Sequence, residues 1–129
     1  MDKGDKEMGR FVIKSTVNNE FMFNLIAENN EVIATSQTYK SVDNAKVGIE
    51  SVKANACASV EDKTANAAAL PCPKFEIFND AEGKFRFHLM ASNGEIVAAS
   101  QGYTTKENCQ KGIASVKSNA PKAEVVKEC

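Results

Sequence analysis

The chain lacks an excess of charge of either sign. Its 129 residues carry 16 Lys and Arg against 17 Asp and Glu, which gives a net charge of -1 at pH 7. A protein that binds nucleic acid draws most of its affinity from contacts with phosphates and therefore needs a basic surface. The charge balance argues against a nucleic-acid partner, although a weak nucleic-acid-binding protein stays open as an alternative.

Long apolar runs are also missing. No stretch approaches the roughly 18 apolar residues of a membrane-spanning helix, and residues 1–10, MDKGDKEMGR, lack the apolar centre of a secretion signal. We therefore expect no membrane partner and a cytoplasmic location. Hydrophobic residues nevertheless make up 43% of the chain, a proportion typical of a folded globular domain.

Cysteine and histidine are scarce and widely spaced. The cysteines Cys57, Cys72, Cys109 and Cys129 form no CxxC pair, and His88 is the only histidine. A zinc site needs ligands gathered at short spacings, and this pattern does not offer them. We expect no metal and no cofactor. Because cytoplasmic thiols stay reduced, we expect free cysteines, with a bridge between Cys57 and Cys129 as the alternative.

The chain repeats itself. Shifted by 64 residues, residues 11–56 align with residues 75–120 without a gap, and about 20 of the 46 aligned positions are identical. Such self-similarity indicates two copies of one structural unit. One copy alone is near the lower size limit for folding, so we expect both copies to share one structural domain. We divide the chain into an N-terminal tail, repeat 1, a linker and repeat 2, at residues 1–10, 11–61, 62–74 and 75–129.

Each copy opens with a pattern of strands. Apolar residues recur at every second position, as on the buried face of a sheet, and in the first copy they are Phe11, Ile13, Phe21, Phe23 and Leu25. A turn is predicted at residues 18–19, and the Asn-Asn at residues 29–30 favours the left-handed backbone of a hairpin. A third strand is predicted over residues 31–37. The unit therefore opens with an antiparallel meander.

After the third strand the apolar period becomes that of a helix. Ser41, or Thr105 in the second copy, is the predicted N-cap. One apolar stripe is predicted to face the sheet, formed by Ala45, Ile49, Val52 and Ala56 and by Cys109, Ile113, Val116 and Ala120. Cys109 is therefore expected to be a buried thiol.

Three further features concern the helices and the segments after them. Gly48 and Gly112, in mid-helix, indicate close contact between helix and sheet. Asn55 and Asn119 are placed to end the helices in the left-handed conformation. Short apolar segments at residues 58–61 and 123–127 predict a fourth strand in each copy.

Two motifs occur in both copies in the same order. FMFNLIAENNEVIATSQTY at residues 21–39 recurs as FRFHLMASNGEIVAASQGY at residues 85–103, and GIESVKANA recurs as GIASVKSNA. Over about 90 of the 129 residues the chain resembles the YegP-like family of small bacterial and archaeal proteins. Its departures are Asn30 at a turn that usually has glycine, Cys57 where a proline often stands, and a longer linker.

The resemblance implies the fold class. It is an α+β fold in which two tandem β-β-β-α-β repeats form one antiparallel sheet, exchange their C-terminal strands and pack two helices on one face. The family has no established activity, so the resemblance carries over no catalytic residue. Function is left to the residues themselves.

Catalysis finds little support in the residues. His88 lies on the strand face opposite Phe87 and aligns with Asn24, which is not ionisable, and no Ser or Cys nucleophile lies at a readable spacing. Glu31 and Glu95 follow the hairpin turns and are interpreted as solvated turn residues. We therefore expect no enzyme and no catalytic residue.

Two groups of residues are candidates for binding. The sheet face that the helices leave open is predicted to carry Met22, Ile26, Arg86, His88 and Met90. The second group consists of polar residues kept in both copies, and among them are Ser36, Gln37, Tyr39, Ser100, Gln101 and Tyr103. These indicate either a two-fold related binding surface or shared turn and cap chemistry, and for the tyrosines the structural role of covering the core is favoured.

The sequence thus predicts a small non-enzymatic binding or protein-interaction module that is a monomer or a weak homodimer. A protein is the partner that this hypothesis implies, without naming one. The alternatives are a weak nucleic-acid-binding protein and a small-molecule enzyme with a site between the repeats. Exposed apolar residues on the open face would favour the first, and a deep polar pocket between the repeats would favour the enzyme.

Overall fold

The structure is a computed structural model and describes residues 9–65 and 69–128. The first repeat forms three strands, a helix and a fourth strand: β1 Arg10–Ser15, β2 Phe21–Ile26, β3 Val32–Thr35, α1 Val42–Asn55 and β4 Ser59–Asp62. The second repeat has the same order: β5 Lys74–Asn79, β6 Phe85–Met90, β7 Ile96–Ala99, α2 Lys106–Asn119, a 3₁₀ turn Ala120–Lys122 and β8 Glu124–Lys127. The predicted β-β-β-α-β unit is confirmed in both copies.

The last strand of each repeat pairs with the first strand of the other. Ser59 of β4 lies opposite Lys74 of β5, and Glu124 of β8 lies opposite Arg10 of β1. In the described part of the chain the strands form one eight-stranded sheet in the order β4-β5-β6-β7-β3-β2-β1-β8. The predicted single sheet with exchanged C-terminal strands is confirmed.

The sheet is mixed rather than wholly antiparallel. Both exchanged strands run parallel to their new neighbours, whereas the pairs within each meander are antiparallel. Helix α1 contacts β1 and β2 of its own repeat and β6 and β7 of the other, so it carries the chain across the sheet to the far edge. Alternating apolar residues indicate which face of a strand is buried and not which way the strand runs. The antiparallel prediction is therefore corrected for these two strands.

A single residue pair joins the two meanders. Thr35 of β3 lies opposite Ala99 of β7, and it is the only paired position between these strands in the described residues. The two residues are equivalent in the repeats, so a pseudo-two-fold axis passes between them. Beside this pair the register skips Ile33 in β3 and Val97 in β7. Because such a bulge bends its strand, β3 and β7 diverge on both sides of the junction.

Both helices lie on one face of the sheet and cover one hydrophobic core, as predicted. The rings of Phe11 and Phe23 meet edge to face with centroids 5.6 Å apart, and Phe75 and Phe87 repeat this contact at 5.9 Å. The predicted helix stripe is buried throughout, Cys109 included: Ala45, Ile49, Val52, Ala56, Cys109, Ile113, Val116 and Ala120. Each buried large side chain contributes about 1.5–3 kcal/mol by leaving water.

The helix N-caps are confirmed. Ser41 Oγ accepts a hydrogen bond from the backbone N–H of Asn44 at 3.0 Å, and Thr105 Oγ1 accepts one from the backbone N–H of Asn108 at 3.0 Å. In this way each cap satisfies one of the free N–H groups in the first helical turn.

The prediction for the helix C-termini is wrong, whereas the one for the hairpin turns is confirmed. Asn55 is the last helical residue, and its side chain donates to the Ser51 carbonyl at 2.7 Å. Asn119 is likewise right-handed, with φ of -95°, because the chain continues directly into the 3₁₀ turn. Left-handed backbone occurs instead at Asn30 and Gly94 of the hairpins, with φ of 73° and 85°.

Some predictions fall outside the described residues. These are residues 1–8 of the predicted tail, residues 66–68 of the predicted linker, and Cys129. Arg10, predicted as the last residue of the tail, instead begins β1. Within the described ranges, no helix has the length and apolar character needed to span a membrane.

Candidate functional site

Two clefts open between the repeats, next to the junction where β3 and β7 diverge. One has a volume of about 420 Å³ and lies between the β2–β3 turn and α2. The other has a volume of about 280 Å³ and lies between the turn from β6 to β7 and α1. We call them the lysine cleft and the valine cleft, after Lys111 and Val47, which occupy equivalent positions in their walls.

The two linings correspond residue by residue. The lysine cleft is lined by Ala27, Asn29, Glu31, Ile33, Gln101, Tyr103, Asn108, Lys111, Gly112 and Ser115. The valine cleft is lined by Ala91, Asn93, Glu95, Val97, Gln37, Tyr39, Asn44, Val47, Gly48 and Ser51. Every residue of one cleft lies 64 positions from its equivalent in the other, and eight of the ten pairs are identical. Fewer than half of all aligned positions are identical. The identical pairs that are exposed in both copies all line the clefts, and they are Asn29 and Asn93, Glu31 and Glu95, Gln37 and Gln101, and Asn44 and Asn108.

One face of each helix forms a cleft wall. In α2 the lining residues are Asn108, Lys111, Gly112 and Ser115, and their spacing of three, one and three places them on one side of the helix. The apolar stripe of the same helix points into the core. Each helix therefore uses one side for the core of the domain and another for a cleft.

A tyrosine connects each cleft to the core. The backbone of Tyr39 pairs with that of Phe21, and its ring stacks on Phe23 with centroids 6.1 Å apart. The hydroxyl group lies against Gly48, where a side chain would collide with it. The close approach of helix and sheet predicted from this glycine is confirmed. The tyrosine ring packs against the core while the residue also lines the valine cleft.

Each tyrosine is influenced by a carboxylate from the other repeat. Burial raises the pKa of Tyr39 above its ordinary value, a hydrogen bond with Gln37 opposes this shift, and the charge of Glu95 adds to it. Burial also raises the pKa of Tyr103, and the charge of Glu31 acts in the same direction. Both hydroxyls therefore stay protonated at neutral pH and serve as neutral hydrogen-bonding groups.

The predicted polar residues divide into two kinds. Gln37, Tyr39, Gln101 and Tyr103 line the clefts, whereas Ser36 and Ser100 hold the backbone of the sheet. Both serines and both glutamines also line a groove on the open face. Ser100 Oγ accepts from the N–H of β6 at Phe87, 2.9 Å away, and donates to the next carbonyl of its own chain at 2.7 Å.

Ser36 makes the same two bonds in the first copy, at 2.9 and 2.6 Å. Both interpretations offered by the sequence therefore have a counterpart in the geometry. The serines fit shared turn chemistry, and the glutamines and tyrosines fit a pair of related binding surfaces.

The residues predicted on the open face lie there, but in two groups. Met22 and Ile26 are on β2, and Arg86, His88 and Met90 are on β6. Strands β3 and β7 lie between them, and all five side chains are partly buried. No member of this group is identical in the other copy. A binding role for this face stays a prediction.

Neighbouring side chains engage the polar members of the open face. Arg86 Nε donates to Asp80 Oδ2 at 2.7 Å, and the His88 ring lies 4.5 Å from the ring of Phe78. Burial lowers the pKa of His88 below its ordinary value, so this imidazole is neutral at pH 7. Arg86 also lines a groove of about 680 Å³, together with Thr35 and Ala99 of the junction between β3 and β7.

The sequence interpretation missed part of the cleft linings. The sequence pattern predicts Glu31 and Glu95 as solvated turn residues and does not single out Asn44 and Asn108, yet all four line the clefts. The signal that points to them is their identity in both copies at exposed positions, where packing does not require it. In residues 9–65 and 69–128, no group of three or more His, Cys, Asp or Glu residues is arranged to hold a metal ion.

Comparison with known proteins identifies the family. The family model described as "Domain of unknown function (DUF1508)" matches residues 17–62 and again residues 80–126. The chain belongs to this family. DUF1508 occurs in this chain as two repeats, and the yegP structure described below confirms the resemblance to YegP-like proteins.

Relatives of two lengths match the chain. The UPF0339 protein PA0329 of Pseudomonas aeruginosa is 40% identical over 114 residues, which are 88% of this chain and 92% of that protein. A UPF0339 protein of Methanosarcina acetivorans is 57% identical over 53 residues, which are 41% of this chain and 91% of that protein. The second relative thus has about the length of one DUF1508 repeat.

A solved structure shares the fold. The solution NMR structure of yegP from Escherichia coli, a protein of unknown function, aligns with a TM-score of 0.77 and 34% identity. The alignment covers 97% of each chain. The names of these DUF1508 relatives state no activity, ligand or partner, so function has to be inferred from the clefts.

Proposed function

We propose that this protein is a non-enzymatic binding module and that the lysine cleft and the valine cleft are its two sites for one kind of small polar ligand. The observation that carries the proposal is that the exposed lining pairs Glu31 and Glu95, Gln37 and Gln101, and Asn44 and Asn108 are identical although packing does not require it. On the open face the copies have diverged, since Met22 aligns with Arg86 and Ile26 with Met90. Equivalent exposed residues stay alike where both copies perform the same task.

Local structure accounts for only some of these identities. Asn29 accepts from the backbone N–H of Glu31 at 3.1 Å and so belongs to the turn. By contrast, the side chains of Glu31 and Asn44, like those of Glu95 and Asn108, make no hydrogen bond or ion pair within the described part of the chain. Exposed polar groups of this kind are available to a ligand.

The groups in the clefts suit binding better than catalysis. Neither lining contains His or Cys, and both tyrosines keep their protons at neutral pH. Ser115 Oγ accepts from Asn119 at 3.1 Å and has no base beside it among the lining residues. An activated nucleophile needs such a base. A polar site between the repeats is nevertheless what the enzyme alternative requires, so the test includes turnover.

The test is an NMR titration of the whole ¹⁵N-labelled protein with the low-mass fraction of a cell extract. We expect amide signals of Gln37 and Gly48 to shift together with those of Gln101 and Gly112, because the linings are equivalent. The double variant Asn44→Ala, Asn108→Ala, which changes residues that line the clefts and not the open-face groove, should lose these shifts. Gln110→Ala, an exposed position of α2 outside the linings, is the matched control and should keep them.

Two results would overturn this proposal. Shifts confined to Arg86, His88 and their neighbours would move the binding site to the open face. Steady conversion of the bound compound, followed in its own NMR spectrum and abolished by the double variant, would make the clefts catalytic. The cytoplasmic location and the monomeric or weakly dimeric state stay predictions.

A further inference from the structure

The two clefts differ by one charge. Lys111 of α2 corresponds to Val47 of α1. The other lining pair that differs is Ile33 and Val97, and both of these residues are uncharged. Each lining has one carboxylate, from Glu31 or Glu95. The side chains that line the valine cleft therefore carry a net charge of -1, whereas those of the lysine cleft sum to zero.

The carboxylate of the valine cleft is uncompensated. Glu95 is exposed and forms no ion pair with any residue that the structure describes. A concave site with charge of one sign raises the local concentration of oppositely charged ligands. Across the cleft stand the neutral hydroxyl of Tyr39 and the amide of Gln37. An ammonium group is the natural counter-ion for this arrangement.

The remaining lining suits hydroxyl groups. Asn44, Asn93 and Ser51 add side-chain amides and a hydroxyl, which both donate and accept hydrogen bonds. The valine cleft, about 280 Å³, is slightly smaller than the usual range for small-molecule sites, roughly 300–1,000 Å³. This size favours a small molecule that carries several hydroxyl groups.

We infer that the valine cleft binds a small polyhydroxylated amine, with Glu95 as the counter-ion of its ammonium group. The lysine cleft binds the amine and its neutral analogue alike, because the charge of Lys111 offsets that of Glu31. This inference rests on the proposed function and adds the ligand class and the difference between the two clefts.

The test uses glucosamine as the probe and glucose as its neutral counterpart. Both are titrated into the ¹⁵N-labelled full chain at about pH 6, where the amine is protonated, with NaCl added to equal ionic strength. Gly48 reports on the valine cleft and Gly112 on the lysine cleft. We expect Kd at the valine cleft to be about fivefold lower for glucosamine than for glucose, as one solvated charge pair provides, and no difference at the lysine cleft.

Substituting Val47 and Lys111 by the residue of the other cleft should exchange the ligand preferences of the two clefts. Val47→Lys should abolish the preference for glucosamine in the valine cleft, and Lys111→Val should create it in the lysine cleft. Both positions are exposed, so neither change threatens the fold. Glu95→Gln should also abolish the preference, whereas Glu50→Gln, on an exposed part of α1 outside the lining, should leave it intact.

The sugar titration distinguishes failure of the inferred ligand class from failure of the proposed binding function. Equal binding of the two sugars in the valine cleft would overturn the inference and leave the clefts as binding sites. The absence of any cleft shift with either sugar would overturn it as well, and the extract titration would then decide on the proposed function. A preference for glucosamine that survives Glu95→Gln would show that another group binds the amine.

Discussion

A Cβ atom at Gly112 would lie 2.5 Å from the hydroxyl oxygen of Tyr103 and 3.1 Å from a ring carbon of Phe87. Helix α2 thus approaches the sheet so closely that only a hydrogen atom fits between them. Gly48 stands in the same relationship to Tyr39 in the first copy. The two glycines therefore belong to the packing of the domain and also determine where the tyrosine hydroxyls sit.

We predict that Gly112→Ala destabilises the protein. In most helices this change raises stability by about 1 kcal/mol. Here the added methyl group overpacks the contact with Tyr103, which typically costs about 1–3 kcal/mol. The free energy of unfolding, measured by urea denaturation, should therefore fall by up to about 2 kcal/mol.

A double-mutant cycle separates this contact from general helix effects. Tyr103→Phe removes the hydroxyl oxygen that lies nearest to the added methyl group. Gly112→Ala should therefore cost less stability in the Tyr103→Phe variant than in the wild type. Ser118→Ala, at an exposed position of α2, is the control for helix propensity and should not be destabilising. A more stable Gly112→Ala variant would contradict the prediction.

We predict that Ser100→Ala lowers stability without altering the clefts. Ser100 is 7% exposed, and its loss leaves the N–H of Phe87 without its partner. A buried N–H group without a hydrogen-bond acceptor lowers the free energy of unfolding by about 1–3 kcal/mol. Urea denaturation measures the loss. The amide signals of Gly48 and Gly112 should stay near their wild-type positions, and large shifts of both would show that Ser100 also shapes the clefts.

We predict that stability falls in acid, in part through Glu61. This carboxylate accepts from the N–H of Leu70 at 3.0 Å and from Lys74 Nζ at 2.6 Å, and these partners lower its pKa below the ordinary value of 4.5. Because folding lowers the pKa of Glu61, its ionised form contributes to the free energy of unfolding. This contribution is complete above about pH 4.5 and is lost as the pH falls through the pKa that Glu61 has in the folded protein.

Comparison of wild type with Glu61→Gln tests this assignment. The variant should be less stable at pH 7 and should lose less stability than the wild type between pH 7 and pH 3, as measured by urea denaturation at each pH. Glu50→Gln, which removes an exposed carboxylate, should keep the wild-type pH dependence. If Glu61→Gln lost as much stability in acid as the wild type, Glu61 would be excluded as a source of the pH dependence of stability.

We predict that Cys109 resists alkylation in the native protein. Burial raises the pKa of this thiol to about 11, so very little thiolate forms at pH 8, and the side chain is inaccessible. Cys57 is exposed and should react readily with iodoacetamide. Peptide mapping by mass spectrometry should show modified Cys57 at once and modified Cys109 only in urea. Equal native rates would place Cys109 at the surface.

Most of the secondary structure follows from local patterns. The alternation of Phe21, Phe23 and Leu25 predicts β2, and Ser41 marks the start of α1, because these signals depend on residues only a few positions apart. Asn55 shows the limit of such reasoning. Asparagine favours a left-handed helix end, but its side chain also bonds back to the helix, and here that bond forms.

The candidate site was predictable only in fragments. Gln37 and Tyr39 are candidates because both copies keep them, and the structure places them in a cleft. Glu95, which lines the same cleft, belongs to the other repeat and to a turn. Because no local pattern indicates that a turn of one repeat faces a helix of the other, the carboxylate and the tyrosine could not be connected from the sequence.

The sequence by itself determined the duplication, the order of strands and helices, and the residues that face the core, because self-similarity and periodicity express these directly. The tertiary structure alone decided that the exchanged strands run parallel and that Glu31 shares a cleft with Tyr103. Both depend on the path of the helices across the sheet and on the bulges that part β3 from β7. These are properties of how distant segments pack, and a pattern of neighbouring residues does not contain them.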